Sequence, residues 1–445
     1  MSGWTEWARG QVVAGAESHP GLALLQCRLE DGRSVAAAAY TGLLAPPALA
    51  PGAWLWLNTK TLDLGLGTGG VAFAIAPAPP PPSPLPPASP LPPAPPTAQL
   101  PPAASPVPPA PPAPADGDDS GFLVKARYTP LQVATRGVDS QHSPHHATMA
   151  GAESLDGLVV VVADLHSSLP AICAAAAWDA QASAGRPARL VYVMTDGAAL
   201  PLAFSRSVAR LTASGALAAT ITAGQAYGGD YEAVSLHSAL LAAKHVAGAE
   251  LAVCVQGPGN LGTGTPWGFS GVGVGEAVNA AATLGGRVVG CLRLSGADPR
   301  PRHRGLSHHS LTAYGRVALL AADLAVPILT GPLAALGGAV ERAAAPLAAR
   351  HRLARVPVQD LEPVLAATPG LSTMGRGFAE DPAAFLAAAA AGRLAWQLAQ
   401  ERPPGPAAPA PGPAAQSPGP AAPAPGPAAE PPGPAAEPPG PASAA

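Results

Sequence analysis

Residues 157–167 read GLVVVVADLHS, a continuous apolar run that ends in polar residues. A strand buried on both faces carries such a run, whereas a half-exposed strand alternates apolar with polar residues. A helical pattern follows the run as far as Ala182. The segment therefore predicts one strand–helix unit of an α/β protein with a parallel sheet.

The same unit recurs along the chain to about residue 400. The strand-like segments are FLVKARYTPLQVATRGV, RLVYVMTDG, ATITAG, ELAVCVQGPG, RVVGCLRLSGAD, AVPILTG and RLARVPVQD. Helical patterns separate most of them. Strands that alternate with helices predict a mostly parallel sheet with helices on both faces.

A different pattern occupies residues 1–76. Turn signals separate five short strand candidates, which are GQVVAGAES, LALLQCRLE, RSVAAAAY, AWLWLN and VAFAIA. Asp31 and Gly32 form a two-residue hairpin turn between the second and the third. The pattern predicts a small N-terminal β-barrel of the OB or SH3 type, which either binds a ligand or docks onto a neighbouring domain.

Most of the 58 prolines lie in two further segments. Residues 77–115 are almost entirely Pro, Ala and Ser, which predicts an extended polyproline II linker. The segment 401–445 repeats PGPAA every seven residues, which predicts a disordered tail or, alternatively, a ligand for a protein partner. The predicted organisation is thus a barrel (1–76), a linker (77–115), an α/β domain (116–400) and a tail (401–445).

Net charge and cysteine content indicate which partners and which cellular compartment to expect for the protein. The formal net charge is −3, so no basic field attracts nucleic acid or an anionic membrane. The N-terminal residues lack the apolar run of a signal peptide. Four scattered cysteines without a CxxC pair indicate reduced, buried thiols. These features favour a cytoplasmic protein without a membrane or nucleic-acid partner, and the surplus of Ala, Gly, Pro and Arg indicates a GC-rich genome.

Polar residues follow five of the predicted strands. Ligands of open α/β sheets bind beyond the carboxyl ends of the strands, so we expect these residues to converge on one cleft. In chain order they are Asp164 with His166, then Asp196, Asp230, the glycine-rich loop QGPGNLGTGTPWGFSG (256–271) and the segment ADPRPRHRGLSHHS (297–310).

The chemistry of these segments favours an anion. Guanidinium groups bind carboxylate or phosphate with paired hydrogen bonds, and the backbone N–H groups of a glycine-rich loop also bind anions. We therefore predict a small anionic metabolite as the ligand. The candidate binding residues are Asp196, Gly257, Gly259, Asn260, Gly262, Thr263, Asp298, Arg302, His303 and Arg304.

Histidine transfers protons near neutral pH and is also a common metal ligand. The spacing in this chain matches neither a closed zinc pattern nor HExxH, so the cofactor stays open, with a divalent metal as one option. Because adjacent side chains usually diverge, we expect only one of His308 and His309 to be a ligand. The candidates for catalysis and for metal binding are His166, Asp230, His308 and His309.

Simpler interpretations exist for several of these residues. Asp164, His166 and Asp230 each precede a predicted helix and can serve as caps. Asp196 begins an Asp-Gly pair that is typical of a turn. The adjacent histidines His145 and His146 lie in a loop and are additional imidazoles for the same cleft.

The pattern GxGxxG occurs at residues 65–70 and again at residues 257–262. A dinucleotide site needs a helix that starts within the turn and an acidic residue about 20 positions later. Neither copy meets both conditions, so we interpret them as loops without a dinucleotide.

Seven segments fit one pattern in order along the chain: LNTKTLDLGLGTGG, YTPLQV, MTDGAALPLAFSR, GGDYEAVS, GPGNLGTGT, ADPRPRHRGLSHHS and MGRGFAEDPAAFLAAAAAG. Together they resemble an uncharacterised bacterial family, the domain-of-unknown-function family numbered 3866. The resemblance covers nearly all of residues 1–76 and 120–393. It implies that the barrel and the α/β domain form one unit, but it implies no reaction.

Two functional hypotheses follow from the predicted cleft. The first is a hydrolase or group-transfer enzyme that uses water as the nucleophile, because the sequence contains no GxSxG elbow. The second is a non-catalytic module that binds the metabolite and regulates a partner. An RNA-binding role for the barrel is disfavoured by its few basic and aromatic residues. A homo-oligomer is compatible with either hypothesis.

Overall fold

The computed structural model of the protein describes residues 5–19, 22–41, 43–64, 71–81 and 122–401, with the backbone alone for residues 16–19. The predicted linker and tail lie almost entirely outside this part of the chain, as does the GxGxxG match at residues 65–70.

The N-terminal strands form a closed barrel, as predicted. Its neighbouring strands follow the order β1-β2-β3-β5-β4, and β4 pairs with β1 to close the sheet. Alternate residues of β2 and β4 point into the barrel, where Leu25, Cys27 and Leu57 are buried. The strands are β1 (Trp7–His19), β2 (Leu22–Leu29), β3 (Ser34–Tyr40), β4 (Trp54–Asn58) and β5 (Ala72–Pro77).

An antiparallel hairpin then leads into one parallel sheet of eight strands, which confirms the predicted α/β fold. The hairpin consists of β6 (Phe122–Lys125) and β7 (Val133–Arg136). In chain order, the sheet strands are β8 (Val159–Ala163), β9 (Leu190–Thr195), β10 (Ala219–Thr222), β11 (Tyr231–Glu232), β12 (Leu251–Gln256), β13 (Arg287–Cys291), β16 (Asp323–Ile328) and β17 (Arg352–Pro357). A short antiparallel pair, β14 (Leu294–Ser295) and β15 (Gly305–Leu306), follows β13.

Helices cover both faces of the parallel sheet. Alternate residues of β8 enter two separate cores: Val159 and Val161 pack on one face, and Val160 and Val162 on the other. The helices are α1 (Lys60–Asp63), α2 (His146–Ala150), α3 (Leu169–Ala184), α4 (Arg206–Ala213), α5 (Leu236–His245), α6 (Gly273–Thr283), α7 (His308–Thr312), α8 (Ala334–Ala344), α9 (Glu362–Ala367) and α10 (Pro382–Gln400).

The alanine-rich helix α10 packs against α3 and the sheet. Gly392 lies where the two helices meet, and a Cβ atom at this position would overlap the carbonyl group of Ile172. Arg393 beside it donates hydrogen bonds to Asp179 and Asp360, which fixes the helix to two other parts of the fold. Small residues thus allow close helix packing on this face.

The β6–β7 hairpin joins the barrel to the edge of the parallel sheet. Asn58 at the end of β4 donates hydrogen bonds to the carbonyl groups of Pro130 and Gln132 in the loop between β6 and β7. On the other side, Lys125 donates to backbone carbonyl groups next to β10 and β11. The barrel was predicted either to bind a ligand or to dock onto a neighbouring domain. The hydrogen bonds described above are contacts of the second kind.

The four cysteines are free and buried, as predicted. Burial raises the pKa of Cys27 to about 11 and that of each of Cys173, Cys254 and Cys291 to about 12. Among the described helices, none combines the length and the apolar character that a membrane crossing requires.

Candidate functional site

The main polar residues directly follow three neighbouring strands at the middle of the sheet. The sheet order is β11-β10-β9-β12-β8-β13-β16-β17, so β8 lies between β12 and β13. From β8 the chain runs outward through β9 and β10 to β11 at one edge and then returns to β12, next to β8. It then runs outward on the other side of β8, through β13 and β16 to β17. This reversal is the topological switch point at which α/β sheets bind ligands.

Asp164, directly after β8, is the centre of the polar network. Its Oδ2 atom accepts a hydrogen bond from Arg293 Nη1 at 2.9 Å and lies 2.9 Å from His309 Nδ1, which in turn lies 2.8 Å from Arg293 Nη1. Asn260, in the loop after β12, donates to Oδ1 at 2.5 Å. One buried carboxylate therefore connects the segments that follow all three strands.

A glycine makes room for this carboxylate. A Cβ atom on Gly271 would overlap the Oδ1 atom of Asp164, and no other residue type lacks that atom. Two positions later, a Cβ atom on Gly273 would meet only Glu276, with Oε2 at 3.9 Å. The glycine at position 271 is thus a requirement of the site, whereas the one at position 273 is not.

A cluster of three histidines adjoins the network. His303 ends the 3-10 turn Pro301–His303, and His308 and His309 are the first residues of α7. One ring nitrogen from each of the three lies within 4.8 Å of the others. One nitrogen of each adjacent histidine therefore lies in the same cluster.

Each imidazole in the cluster is held in a defined way. His303 Nδ1 lies 2.8 Å from the hydroxyl of Ser307, which leaves its Nε2 atom to face elsewhere. The ring of His309 stacks on that of Phe269, with 3.7 Å between centroids and 12° between planes. The Nε2 atom of His308 is buried and has no hydrogen-bond partner among the described residues. A buried nitrogen without a hydrogen-bond partner lowers the stability of the folded protein, so it normally persists only where it has a function.

Arginine side chains line the cleft beside this cluster. The cleft has a volume of about 90 Å³, and Arg293, Arg300, Arg302, His303 and His309 contribute to its wall. Among the described residues, no acidic side chain lines it. The carboxylates that pair with Arg293 and Arg300 do not line the cleft, so its exposed charge is positive.

The three arginines differ in their partners. Arg293 pairs with Asp164, and Arg300 forms a paired contact with Asp298 through Nε and Nη2. Arg302 is exposed, and it forms no hydrogen bond or ion pair with another described residue. Its guanidinium group is therefore the one with its hydrogen-bond donors available to a ligand.

Burial and neighbouring charges set the protonation of the cleft. Burial alone would raise the pKa of Asp164, but the hydrogen bond from His309 and the charge of Arg293 outweigh it and hold the pKa below its usual value. Burial, with the charges of Arg293 and Arg300, lowers the pKa of His303 to about 3. Burial and the neighbouring His309 also lower the pKa of His308. At neutral pH, His303 and His308 are therefore uncharged and Asp164 is ionised.

Other predicted catalytic residues lie outside the cleft. Both ring nitrogens of His166 have partners, since Nδ1 lies 3.1 Å from the carbonyl oxygen of Gln256 and Nε2 lies 2.6 Å from the hydroxyl of Ser205. Asp230 accepts hydrogen bonds from the backbone and the hydroxyl of Thr220. It precedes the edge strand β11, four strands from β8, which is roughly 19 Å away at the usual strand spacing.

The predicted ligand-binding residues also separate into two groups. Asn260, Gly262, Arg302 and His303 line the cleft. The remaining predicted binding residues have structural contacts or positions outside its lining, and they are Asp196, Gly257, Gly259, Thr263, Asp298 and Arg304.

Several of these residues have identifiable structural roles. Asp196 accepts a hydrogen bond from the backbone of Gln225, and Arg304 donates to the carbonyl oxygen of Asp298. A Cβ atom on Gly257 would overlap the carbonyl oxygen of Ala199. These contacts shape the loops around the cleft.

The simpler interpretations of the sequence have mixed outcomes. The carboxylate of Asp164 binds side chains from other strands, so its contacts are not those of a helix cap. Ser235, not Asp230, caps α5, and its hydroxyl accepts a hydrogen bond from Ser238. His145 lies against Tyr231 of the edge strand, away from the cleft.

Sequence reasoning missed six residues of the cleft region, of which Leu261 and Gly264 line the cleft from the glycine-rich loop. Arg293 and Arg300 contribute charge, Phe269 supports His309, and Met374 lines the cleft from a loop before α10. Arg293 carried a usable signal, because a charged residue directly follows an apolar strand. Met374 also has a positive φ of 50°, which is uncommon for a residue other than glycine.

A model of one protein family matches the chain. The match covers residues 36–392, and the family is described as Protein of unknown function (DUF3866). The chain belongs to this family. The match begins within β3, so the first two barrel strands precede it, whereas the histidine cluster and the cleft lie inside it. Neither the curated proteins nor the solved structures gave a match to the chain.

Proposed function

We propose that this member of the DUF3866 family is a hydrolase or group-transfer enzyme that acts on a small anionic metabolite in the cleft. The observation that carries the proposal is the meeting of positive guanidinium groups and uncharged imidazoles at the switch point of the sheet. Guanidinium groups supply the binding of the anion. The imidazoles supply the proton transfer or metal binding that a binding protein does not need.

The arrangement of charge favours phosphate or carboxylate in the ligand. Arg302 presents an unpaired guanidinium group, whereas Arg293 and Arg300 are held in place by carboxylates behind them. A fixed positive wall attracts an anion without a large cost in rearrangement. We therefore assign the first contact with the anion to Arg302 and the orientation of the anion to the two fixed arginines.

Water is the nucleophile that fits this site best. Burial raises the pKa of the cysteines, so none of them supplies a thiolate at neutral pH. The hydroxyl of Ser205 lies 2.6 Å from His166, a distance typical of a nucleophile and its base. However, Ser205 is 3% exposed and its hydroxyl caps α4, so a substrate has no access to it.

The proposed hydrolysis forms two bonds and breaks two, one of which is an O–H bond of water. The oxygen of water bonds to the phosphorus or acyl carbon of the substrate, and the bond from that atom to the leaving oxygen breaks. The leaving oxygen takes the electron pair of the broken bond and a proton that originates from water. In group transfer, an acceptor hydroxyl replaces water, and the same bonds change.

The cellular compartment, the source and the partners of this enzyme are also part of the proposal. Four free thiols and the absence of a CxxC pair support a reducing cytoplasm, and the resemblance to an uncharacterised bacterial family supports a bacterial source. The proline-rich tail is a candidate ligand for a protein partner, and a homo-oligomer is compatible with the site. No feature of the cleft favours nucleic acid or a membrane as the partner.

Two arginine variants test the proposed site. Calorimetry with inorganic phosphate should give Arg302→Ala at least tenfold weaker binding than the wild-type chain, because a charge-assisted hydrogen bond is lost. Arg304→Ala is the matched control, since this nearby arginine does not line the cleft, and its affinity should change less than twofold. Equal affinity in all three proteins would remove the assigned anion site.

Turnover separates the enzyme from the binding module. We expect hydrolysis of at least one ester in a panel of p-nitrophenyl phosphate, bis(p-nitrophenyl) phosphate and mono-p-nitrophenyl succinate, with a loss of at least tenfold in kcat/KM for Arg302→Ala. Phosphate binding without any turnover, together with unchanged phosphate affinity in His308→Ala, would instead assign a non-catalytic metabolite-binding module.

A further inference from the structure

The three histidines beside the cleft match the ligand set of a metal site that leaves one coordination position open. We propose that His303, His308 and His309 bind one divalent transition-metal ion, with Zn²⁺ as the ion that best fits three imidazoles. As a catalytic centre, this metal site rests on the proposed function, but the binding of the ion does not.

The distances between the rings are close to those that a metal needs. One nitrogen from each histidine lies within 4.8 Å of the other two. A tetrahedral zinc ion with bonds of about 2.0–2.1 Å separates its ligand nitrogens by about 3.4 Å. The nitrogens must therefore move closer to one another by up to about 1.4 Å before one ion bonds to all three.

The hydrogen bonds leave one nitrogen of each assigned ring available. His309 Nδ1 lies 2.9 Å from Asp164 Oδ2 and 2.8 Å from Arg293 Nη1, which directs its Nε2 atom away from both groups. This carboxylate–histidine contact is the one that commonly orients a metal-binding imidazole. His303 has the same arrangement, with Ser307 in place of the carboxylate. Asp164 is accordingly a positioning residue and not a ligand.

The third ring supplies the observation that is hardest to explain without an ion. His308 Nε2 is buried and has no partner among the described residues, although a buried imidazole nitrogen normally has one. A metal bond satisfies this nitrogen without a new hydrogen-bonding group. The orphaned atom and the clustering of the rings are independent features that point to the same ligand.

The ligand set selects the class of ion. Three imidazoles without a carboxylate or a thiolate suit zinc and its neighbours among the transition metals, whereas magnesium and calcium prefer oxygen ligands. A site with three protein ligands leaves a coordination position for water, as catalytic zinc sites do. Because His303 and His309 also line the cleft, that position faces the proposed substrate. When bound, the ion would supply an activated water at neutral pH.

Metal binding by the full chain, purified without a histidine tag and stripped with a chelator, tests the proposal. Calorimetry with Zn²⁺ should give one ion per chain, and Co²⁺ should give the visible absorption of a tetrahedral site. We expect at least 100-fold weaker Zn²⁺ binding in His308→Ala and 10–100-fold weaker binding in Asp164→Asn.

Two further variants keep the result interpretable. His237→Ala removes an exposed histidine of α5 and should bind Zn²⁺ within twofold of the wild-type chain. His303→Gln is a second ligand variant for the case in which His308→Ala does not fold. Equal affinity in the wild-type chain and in a folded ligand variant, or no stoichiometric Zn²⁺ binding at all, would overturn the metal site.

The outcomes also separate this proposal from the proposed function. A bound ion that is lost in His308→Ala, without turnover of any ester, would keep the metal site and remove the enzyme. Conversely, ester turnover that depends on Arg302 but continues in the stripped chain would keep the enzyme and remove the catalytic role of the ion, and calorimetry with Zn²⁺ would then decide the metal site by itself.

Discussion

The parallel sheet carries one buried charged cluster at its edge and another at its centre. At the edge, Lys125 donates hydrogen bonds to three backbone carbonyl groups and lies 3.2 Å from Glu232. Glu232 in turn accepts hydrogen bonds from Thr222 and Gly228. The protein thus supplies partners for both buried charges without any ligand.

The central cluster contains similar groups but is incomplete. Asp164 has partners for both oxygens, whereas His308 Nε2 has none among the described residues and Arg302 has no ion-pair partner there. The edge cluster holds the hairpin and barrel against the sheet. The difference indicates that burial of charge alone does not identify a functional site, and that unpartnered groups beside a cleft are the more informative signal.

The largest expected effect comes from breaking the edge cluster. Lys125→Met leaves the carboxylate of Glu232 buried without a cation, so the free energy of unfolding should fall by about 3–5 kcal/mol. Chemical denaturation measures this loss. The double variant with Glu232→Gln should recover part of it, because no unpaired charge stays buried. A loss below about 1 kcal/mol in Lys125→Met would mean that the edge cluster contributes little to stability.

A smaller effect is expected when the central cluster is displaced. Gly271→Ala places a methyl group where the carboxylate of Asp164 lies, so it should cost about 1–3 kcal/mol in unfolding free energy and weaken phosphate binding. Gly273→Ala is the matched control, because its Cβ atom has space and an alanine favours α6 by about 0.5–1 kcal/mol. Denaturation and calorimetry on both variants check this. Similar behaviour of the two would contradict the steric role of Gly271.

The smallest effect concerns His166, the predicted catalytic residue with complete hydrogen bonding. Burial lowers its pKa below the ordinary value of 6.5, although the hydrogen bond with Gln256 raises it. Below pH 6.5, the unfolded chain therefore binds a proton that the folded chain does not, and stability falls as the pH falls. The contribution of one histidine is at most about 1.4 kcal/mol per pH unit.

The variant His166→Gln should therefore have a shallower dependence of unfolding free energy on pH between 6.5 and 5. The exposed His237→Gln serves as the control and should keep the wild-type slope. Unfolding curves at several pH values measure the slopes. Identical slopes for the wild-type chain and His166→Gln would show that burial of His166 does not limit its protonation.

The strands of the parallel sheet could be predicted from the sequence because a strand that is buried on both faces consists of apolar residues throughout. The run from Val159 to Ala163 is apolar throughout, and Asp31 and Gly32 mark the hairpin of the barrel. The order of strands within the sheet has no such local signal. Asp230 follows a predicted strand like Asp164 does, yet β11 forms the sheet edge and β8 the centre.

The site was therefore predicted in part. The strand-end rule identified Asn260, Arg302 and His303, which line one cleft. It could not show that His308 and His309 join the same cluster, because that depends on the tight turn that starts α7 directly after Ser307. Side-chain direction at a helix start depends on the path of the chain before it, which spacing alone does not contain.

The docked hairpin has a consequence for how this chain can change in length. Strand β5 ends at Pro77 and β6 begins at Phe122, and both belong to elements that contact each other through the barrel. The intervening segment therefore connects two anchored ends and does not determine the distance between barrel and sheet. Insertions or deletions between Pro77 and Phe122 should therefore change the free energy of unfolding little, because the contacts that hold the barrel to the hairpin lie outside this segment.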